Sequence, residues 1–467
     1  MKISNFVLSL AFASLCLNQA SGQGVSYPPN SAASRSIGDS TAASRPAEFN
    51  AARSLSDRSV DFAAAENDSG LAQDGVSSYQ ASYAPQGSVD SGNASSPAAS
   101  SPAAGSYTSE SYFGGCGMNR NPQVWFNSET LLWFTESVSS PALVNTSGYA
   151  VLPITGDPGV QTVFGGGDGI DYGLTPGFRF SGGMYLGDEQ KVGIGGRGYG
   201  LFNPSESYSL ASNGSGTAGN PSVGVPFYNL FMNQEDAFLV AYQNGIDDIT
   251  GTVMTRSDLE MYGADGSLYL LLTRSDSMRM DLLGGYTYNL LKNSIGVETT
   301  SNVTNFPTRV STTNDLFATK NTFNGGHLGV LTSVNRSRVS FSTLAKVAFG
   351  SMQQTGSVRG FSNVNGTDLG AGIFAQPSNI GDYSRDTFAF IPELGLKLGF
   401  AVRQNVQFTV GYTMMMWSGV ALAGNQIDNA IDPTQLVLGP SGTRPNPMFA
   451  SDTFWMQGVD LGVNFAF

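Results

Sequence analysis

Two cysteines and one histidine in 467 residues leave little room for several kinds of chemistry. Cys16 sits in the apolar run that opens the chain, so cleavage of that run leaves Cys116 alone, unable to form an internal disulfide or a cysteine metal site. His327 has no zinc cluster, phosphate loop or nucleophile elbow for company. We therefore expect no catalytic set, no metal and no cofactor. Basic residues are scarce as well: 23 Lys and Arg stand against 36 Asp and Glu, a formal charge of −13, which argues against nucleic acid as a partner. Charged residues total 13%, about half the share usual in soluble domains, yet the hydrophobic fraction is only 40%. Long apolar runs are missing too. The stretch 238–242 is typical, and none approaches the roughly twenty residues of a spanning helix.

What is present begins with a secretory signal. Lys2 precedes an apolar run over residues 6–17, and Ala20, Ser21 and Gly22 offer a cleavage site, so residues 1–22 read as a signal peptide. A lipoprotein signal using Cys16 would fit badly with the bulky Leu15 before it. Residues 23–111 are Ser, Ala, Gly and Pro with scattered charge and the near-repeat Ser96-Pro97-Ala98-Ala99, Ser101-Pro102-Ala103-Ala104. Such a composition cannot bury enough apolar surface to fold and predicts a disordered tail. Residues 1–111 hold five Lys or Arg and nine Asp or Glu, which leaves 18 against 27, or −9, for residues 112–467.

That second part alternates with a period of two. Ten segments do so: 124–134, 175–187, 191–202, 257–272, 277–291, 322–334, 338–352, 386–402, 405–418 and 454–467. In the last of them Trp455, Val459, Leu461, Val463, Phe465 and Phe467 share one side, with only Gln457 interrupting, while Met456, Gly458, Asp460, Gly462, Asn464 and Ala466 share the other. Four connections are tight, around 188–189, 274–276, 335–337 and 403–404. They alternate with long ones at 135–174, 203–256, 292–321, 353–385 and 419–453. An exported chain without a spanning helix can cross a membrane only as a closed barrel, and short turns alternating with long loops are the habit of bacterial outer-membrane barrels. The fold class expected is all-β: an antiparallel up-and-down transmembrane β-barrel over 112–467, preceded by the tail in the periplasm. Ten strands are counted; apolar clusters at 227–232 and 237–242 would make twelve if they formed an extra hairpin, or would fold into the lumen.

Putting the apolar side in lipid sorts the strands. Met278, Met280, Leu282, Tyr286, Tyr288 and Leu290 go outward on one, Phe390, Leu394, Leu396, Leu398 and Phe400 on another, and Val406, Phe408, Val410, Tyr412 and Met414 on the next. Inward go Glu129, Arg179, Arg197, Asp265, Arg279, Asp281, Lys346, Glu393, Lys397 and Asp460, five of each sign. Charge on the lipid face would cost about 2–4 kcal/mol per Lys or Arg at the midplane. A balanced set of ten can pair across a narrow bore, which predicts a constricted or plugged interior.

In this order the residues resemble the β-barrel porin-7 family of bacterial outer-membrane proteins, from about residue 124 to 467. The resemblance rests on Glu129-Thr130-Leu131-Leu132-Trp133-Phe134 with Pro141-Ala142-Leu143-Val144, on Phe164-Gly165-Gly166, and on Asp281-Leu282-Leu283-Gly284-Gly285-Tyr286. It continues through Asn321-Thr322-Phe323-Asn324-Gly325-Gly326-His327-Leu328-Gly329 and Ala345-Lys346-Val347-Ala348-Phe349-Gly350. Its most specific block is Pro377-Ser378-Asn379-Ile380-Gly381 with Tyr383-Ser384-Arg385-Asp386, Phe388 and Pro392-Glu393. Gly411-Tyr412, Trp417-Ser418, Gln426-Ile427-Asp428 and Asp452-Thr453-Phe454-Trp455-Met456-Gln457-Gly458 complete it. Phe134 replaces a second Trp and Ala142 a second Pro, departures that leave the fold untouched. The resemblance implies an outer-membrane barrel and carries no substrate or catalytic residue.

Weaker signals read as structure. Gly166-Gly167-Asp168-Gly169-Ile170-Asp171 matches the start of a calcium nonapeptide, but a single copy cannot complete the coordination, so a glycine-rich loop is expected. Glu235-Asp236 and Asp247-Asp248 read as solvated loop charge, with calcium or lipopolysaccharide as the functional alternative. By parity His327 faces the lumen as a polar contact. The function expected is a non-enzymatic outer-membrane barrel, a porin-like channel for small polar solutes with long acidic extracellular loops. The alternative is a structural or adhesive surface protein anchored by a plugged barrel, with a hydrolase more remote. Outer-membrane lipid, lipopolysaccharide and the barrel assembly machinery, acting on the last strand, are the expected partners.

Overall fold

The computed structural model describes residues 122–304, 309–433 and 443–467. The expected signal peptide, the tail and Cys116 lie outside them. The strands in chain order are β1 (Val124–Thr135), β2 (Val138–Ser147), β3 (Gln161–Ile170), β4 (Leu174–Leu186), β5 (Val192–Leu201) and β6 (Ser205–Ser212). Then come β7 (Ser222–Asn229), β8 (Gln234–Gln243), β9 (Asp248–Arg274), β10 (Met278–Val303), β11 (Arg309–Arg336) and β12 (Val339–Val364). The chain ends with β13 (Thr367–Leu369), β14 (Gly381–Arg403), β15 (Val406–Val420), β16 (Ala430–Ile431) and β17 (Asp452–Ala466).

Ten of these strands close a ring. Antiparallel pairing runs β1 to β4, β5, β9, β10, β11, β12, β14, β15 and β17, and β17 returns to β1 with Phe465 opposite Phe126 and Asp460 opposite Leu131. Closure leaves no unpaired edge, which a sheet in hydrocarbon requires. The fold is thus an antiparallel transmembrane barrel of ten strands. The clusters at 227–232 and 237–242 add none to that count and do not fold into the bore. They form the β7–β8 hairpin, which belongs to a second small sheet with β2, β3 and β16.

Parts of the long connections read from the sequence prove to be strand. Strands β9 to β12 are 26–28 residues long, whereas 9–11 residues suffice to cross a bilayer. Residues 292–303 and 309–321 continue β10 and β11 well past the apolar part, and 353–364 continue β12. Their alternation is hard to read because Ser, Thr and Asn stand on both faces. Cross-strand hydroxyl pairs hold the extension together: Thr299 to Thr313 at 2.9 Å, Thr300 to Thr312 at 3.2 Å and Ser301 to Ser311 at 3.2 Å. Gly166-Gly167-Asp168-Gly169-Ile170 is likewise strand β3 rather than loop, with bulges where Gly165, Gly166 and Gly169 take positive φ.

Polarity inverts partway along these strands. Near the tight turns, Leu268, Leu270 and Leu272 on β9, Phe341 and Phe349 on β12, and Phe390, Leu394, Leu396, Leu398 and Phe400 on β14 are exposed on the outer face. From Val339 to Phe349 is eleven residues, or about 36 Å of strand, which at the usual tilt matches an apolar band about 25 Å tall. Beyond it the outer face carries Glu260, Lys292, Glu298 and the exposed ion pair Arg359–Asp382. The inner face there carries Leu259, Met261, Leu291, Ile295, Val297, Phe317 and Val358, each 4% exposed or less. Leu290, expected in lipid, is buried, flanked in register by Tyr262 and Thr322.

Candidate functional site

The interior of the apolar band is the most chemically loaded part of the molecule, and strand register builds it. Glu129 on β1 lies opposite Arg179 on β4, Arg197 on β5 opposite Asp265 on β9, and Lys346 on β12 opposite Glu393 on β14. Side chains alternate along a strand, so these positions share the inner face. All ten charges named from the sequence have an opposite charge beside them, in three groups that are each electrically neutral.

In the first group the Arg179 guanidinium reaches Glu129 at 2.5 Å and Asp460 at 2.6 Å, and donates to Thr413 at 3.1 Å. Lys397 meets Glu129 at 2.5 Å, and the Trp133 indole donates to Asp460 at 2.8 Å. In the second group Arg197 contacts Asp265 at 2.6 Å and both oxygens of Glu393, while the Lys346 ammonium lies 2.9 Å from Asp265 and 3.0 Å from Glu393. The third group is nearest the turns. There Arg279 forms a fork with Asp281 at 2.7 Å and covers the Tyr185 ring at 3.9 Å. Forked guanidinium–carboxylate pairs are directional, and removing one member of a buried pair is strongly destabilising.

His327 is buried between Ser267, 2.9 Å from Nε2, and Thr287, 2.8 Å from Nδ1, with no carboxylate on either nitrogen. Those two partners come from β9 and β10 and could not be read from the segment around His327. Small residues make room for the large inward ones. A Cβ on Gly458 would sit 2.5 Å from the Trp133 backbone, and one on Gly263 would sit 2.6 Å from the Tyr199 ring.

The two ends of the bore differ. On the extension side of the charges, Trp133, Phe323, Leu291, Met415, Trp417, Phe454 and Met456 point inward, are 2% exposed or less, and merge into one apolar core with the material above. Segment 421–426 crosses over them: Ala421 N–H donates to Asn321 at 2.7 Å, and Ala423 N–H to Asn293 at 2.8 Å. On the turn side lies a cavity of about 290 Å³ whose rim includes Pro122, Gln190 and Asn335 and whose floor includes Arg179, Lys346 and Glu393. The closing-strand residues sit outside this interior. Val459, Leu461 and Phe467 are exposed on the outer face, and Trp455, Val463 and Phe465 are half-buried there. Thr413, Tyr185, Trp133 and the cavity's Trp125 went unread in the sequence, although Trp125 and Trp133 share the parity of Glu129.

The acidic pairs of the extension are tied locally. Asp236 accepts from Asn229 at 2.9 Å, Asp247 from Asn244 at 2.9 Å and Asp248 from Gln243 at 2.9 Å. Among the described residues no cluster of His, Cys, Asp and Glu could hold a metal ion.

Among solved structures the chain is similar to the outer membrane protease OmpT of Escherichia coli, with TM-score 0.39 and 10% identity, covering 74% of this chain and 96% of that one. It is also similar to the toluene transporter TbuX of Ralstonia pickettii, with TM-score 0.19 and 9% identity over 74% and 90%. The toluene transporter TodX of P. putida gives TM-score 0.14 and 8% identity over 74% and 90%. Likenesses this distant carry no functional argument. No curated protein matches the sequence. Residues 125–467, well over half of the chain, match the family described as "Putative beta barrel porin-7", and with its closed ten-stranded ring the protein belongs to that family of bacterial outer-membrane β-barrels.

Proposed function

We propose that the protein is a non-enzymatic surface protein whose plugged barrel anchors a folded head in the outer membrane. The observation that carries this reading is the inward apolar layer around Trp133, Trp417 and Phe454, continuous with the core of the extension and stacked on a neutral lattice of ion pairs. A conducting bore needs a wetted path, and buried aromatic side chains at crystal-like packing density offer none. Outer-membrane barrels keep short turns in the periplasm and long elements outside. On that rule the extension faces the exterior, and the position of Pro122 at the turn-side rim supports a periplasmic tail. Lipid and lipopolysaccharide meet the outer belt, and β17 is the strand the assembly machinery engages.

Planar-bilayer recordings test the plug. Wild type and the Arg279→Ala/Lys346→Ala variant are both expected to be silent, because neither change removes the apolar layer. Steady ohmic conductance of the wild type would replace this reading with that of a narrow channel for small polar solutes, entered through the turn-side cavity.

A further inference from the structure

The turn-side cavity has features that closing the bore does not require. One wall is aromatic: Trp125 and Tyr269 meet edge to face with centroids 6.1 Å apart, and Tyr185 packs against Tyr269 at 6.2 Å. Beside it runs a row of uncharged amides and hydroxyls set by register. Asn127 on β1 lies opposite Asn464 on β17, which lies opposite Gln407 on β15. Gln407 donates to Ser340 at 2.5 Å, and Asn464 donates to Gln407 at 3.5 Å. Three oxygens of this wall, Asn127 Oδ1, Asn464 Oδ1 and Thr409 Oγ1, are buried with no hydrogen-bond partner, and the Asn127 and Thr409 side chains are more than nine-tenths buried. Leaving such buried acceptors unmet is unfavourable. Side chains of this wall that turn their unmet oxygens toward the cavity favour a ligand that brings donors.

The ligand's charge and size follow from the same walls. Every ionic side chain on the floor is already neutralised by its neighbours, so a net charge on the ligand gains no unpaired counter-charge. The 290 Å³ volume is the liquid share of about ten waters and stands at the small end of ligand pockets. We propose that this vestibule binds a neutral, polyhydroxylated solute of monosaccharide size, its C–H face on Trp125 and Tyr269 and its hydroxyls donating to Asn127, Asn464 and Thr409. The site uses only the turn-side half of the bore and stands whether or not the barrel conducts. Titration and bilayer recording therefore fail independently.

The test is calorimetric titration of the full mature chain in detergent with glucose and with N-acetylglucosamine, using sodium acetate as a charged control. Intrinsic tryptophan fluorescence is read in parallel. Saturable binding of at least one sugar and none of acetate is expected, with a Kd on the order of 1 mM. Thr409→Val, which keeps the shape of the side chain, and Asn127→Leu should each weaken binding by about tenfold. Trp125→Phe should keep the heat but lose most of the fluorescence change. Folding of each variant is read from heat-modifiable migration on gels. The proposal is overturned if the folded wild type binds neither sugar saturably, leaving water as the only occupant, or if folded Thr409→Val and Asn127→Leu bind as tightly as wild type.

Discussion

Strands β9 to β12 pass through two regions that obey opposite rules. In the membrane band, Leu268, Phe341 and Phe349 face out while Asp265 and Lys346 face in; in the extension, Lys292, Glu298 and Arg359 face out while Leu291, Val297 and Val358 face in. The backbone and its period of two do not change across the boundary. What changes is the medium on each side: hydrocarbon outside a polar bore, then water outside a packed head. An extended strand is indifferent to which face is apolar, so one strand can serve both regions, provided that its inner residues are either fully paired or fully packed.

The largest effect expected lies on the inner face of the band. Arg179→Met strands Glu129 and Asp460 together without their shared cation, a loss of about 3–5 kcal/mol. Urea unfolding in vesicles measures it, and adding Glu129→Gln should recover part of the loss. Equal tolerance of Arg179→Met and of a surface change would show that the bore is wetter than its burial indicates.

The outer faces give a smaller and sharper contrast. Leu394→Arg in the middle of the band should cost about 2–4 kcal/mol, while Ser294→Arg, on the outer face of the extension, should stay within about 0.5 kcal/mol. The same unfolding assay compares them, and similar values for the two would place the boundary elsewhere.

The smallest effect concerns the head alone. Asp315 is wholly buried well beyond the band and accepts from the N–H groups of Ile373 at 2.9 Å, Phe374 at 3.2 Å and Ala375 at 2.8 Å. Burial pushes its carboxyl up to about 6 despite those three donors, which pull the other way. Its folded value lies above the ordinary 3.8, so the stability it contributes is complete below about pH 4 and is lost as pH rises through about 6. Opening of segment 370–376, followed by hydrogen exchange at Ile373 to Ala375 and corrected for intrinsic rates, should become easier from pH 4 to pH 7. Asp315→Asn should flatten that dependence.

Much of the band was legible because its two environments write a strong alternation into the chain. All ten barrel strands and the four tight turns could be placed, and the ten inward charges shared a parity with the small residues. The extension was less legible because Thr, Ser and Asn stand on both its inner and its outer faces, so 292–321 and 353–364 read as loop. Residues 227–232 and 237–242 were visible as apolar and extended, but whether they join the ring depends on what β2 and β16 offer them, and no local pattern records that.

Composition and periodicity by themselves determined that this chain has one wetted and one lipid-facing side, because each residue's preference for water or hydrocarbon is its own property. Which charge pairs with which, that Trp133 and Trp417 belong to one apolar core above them, and that Asn127, Asn464 and Thr409 line one cavity were decided only by the tertiary structure. Those relations link residues up to 337 positions apart, and ring closure and strand register alone bring them together.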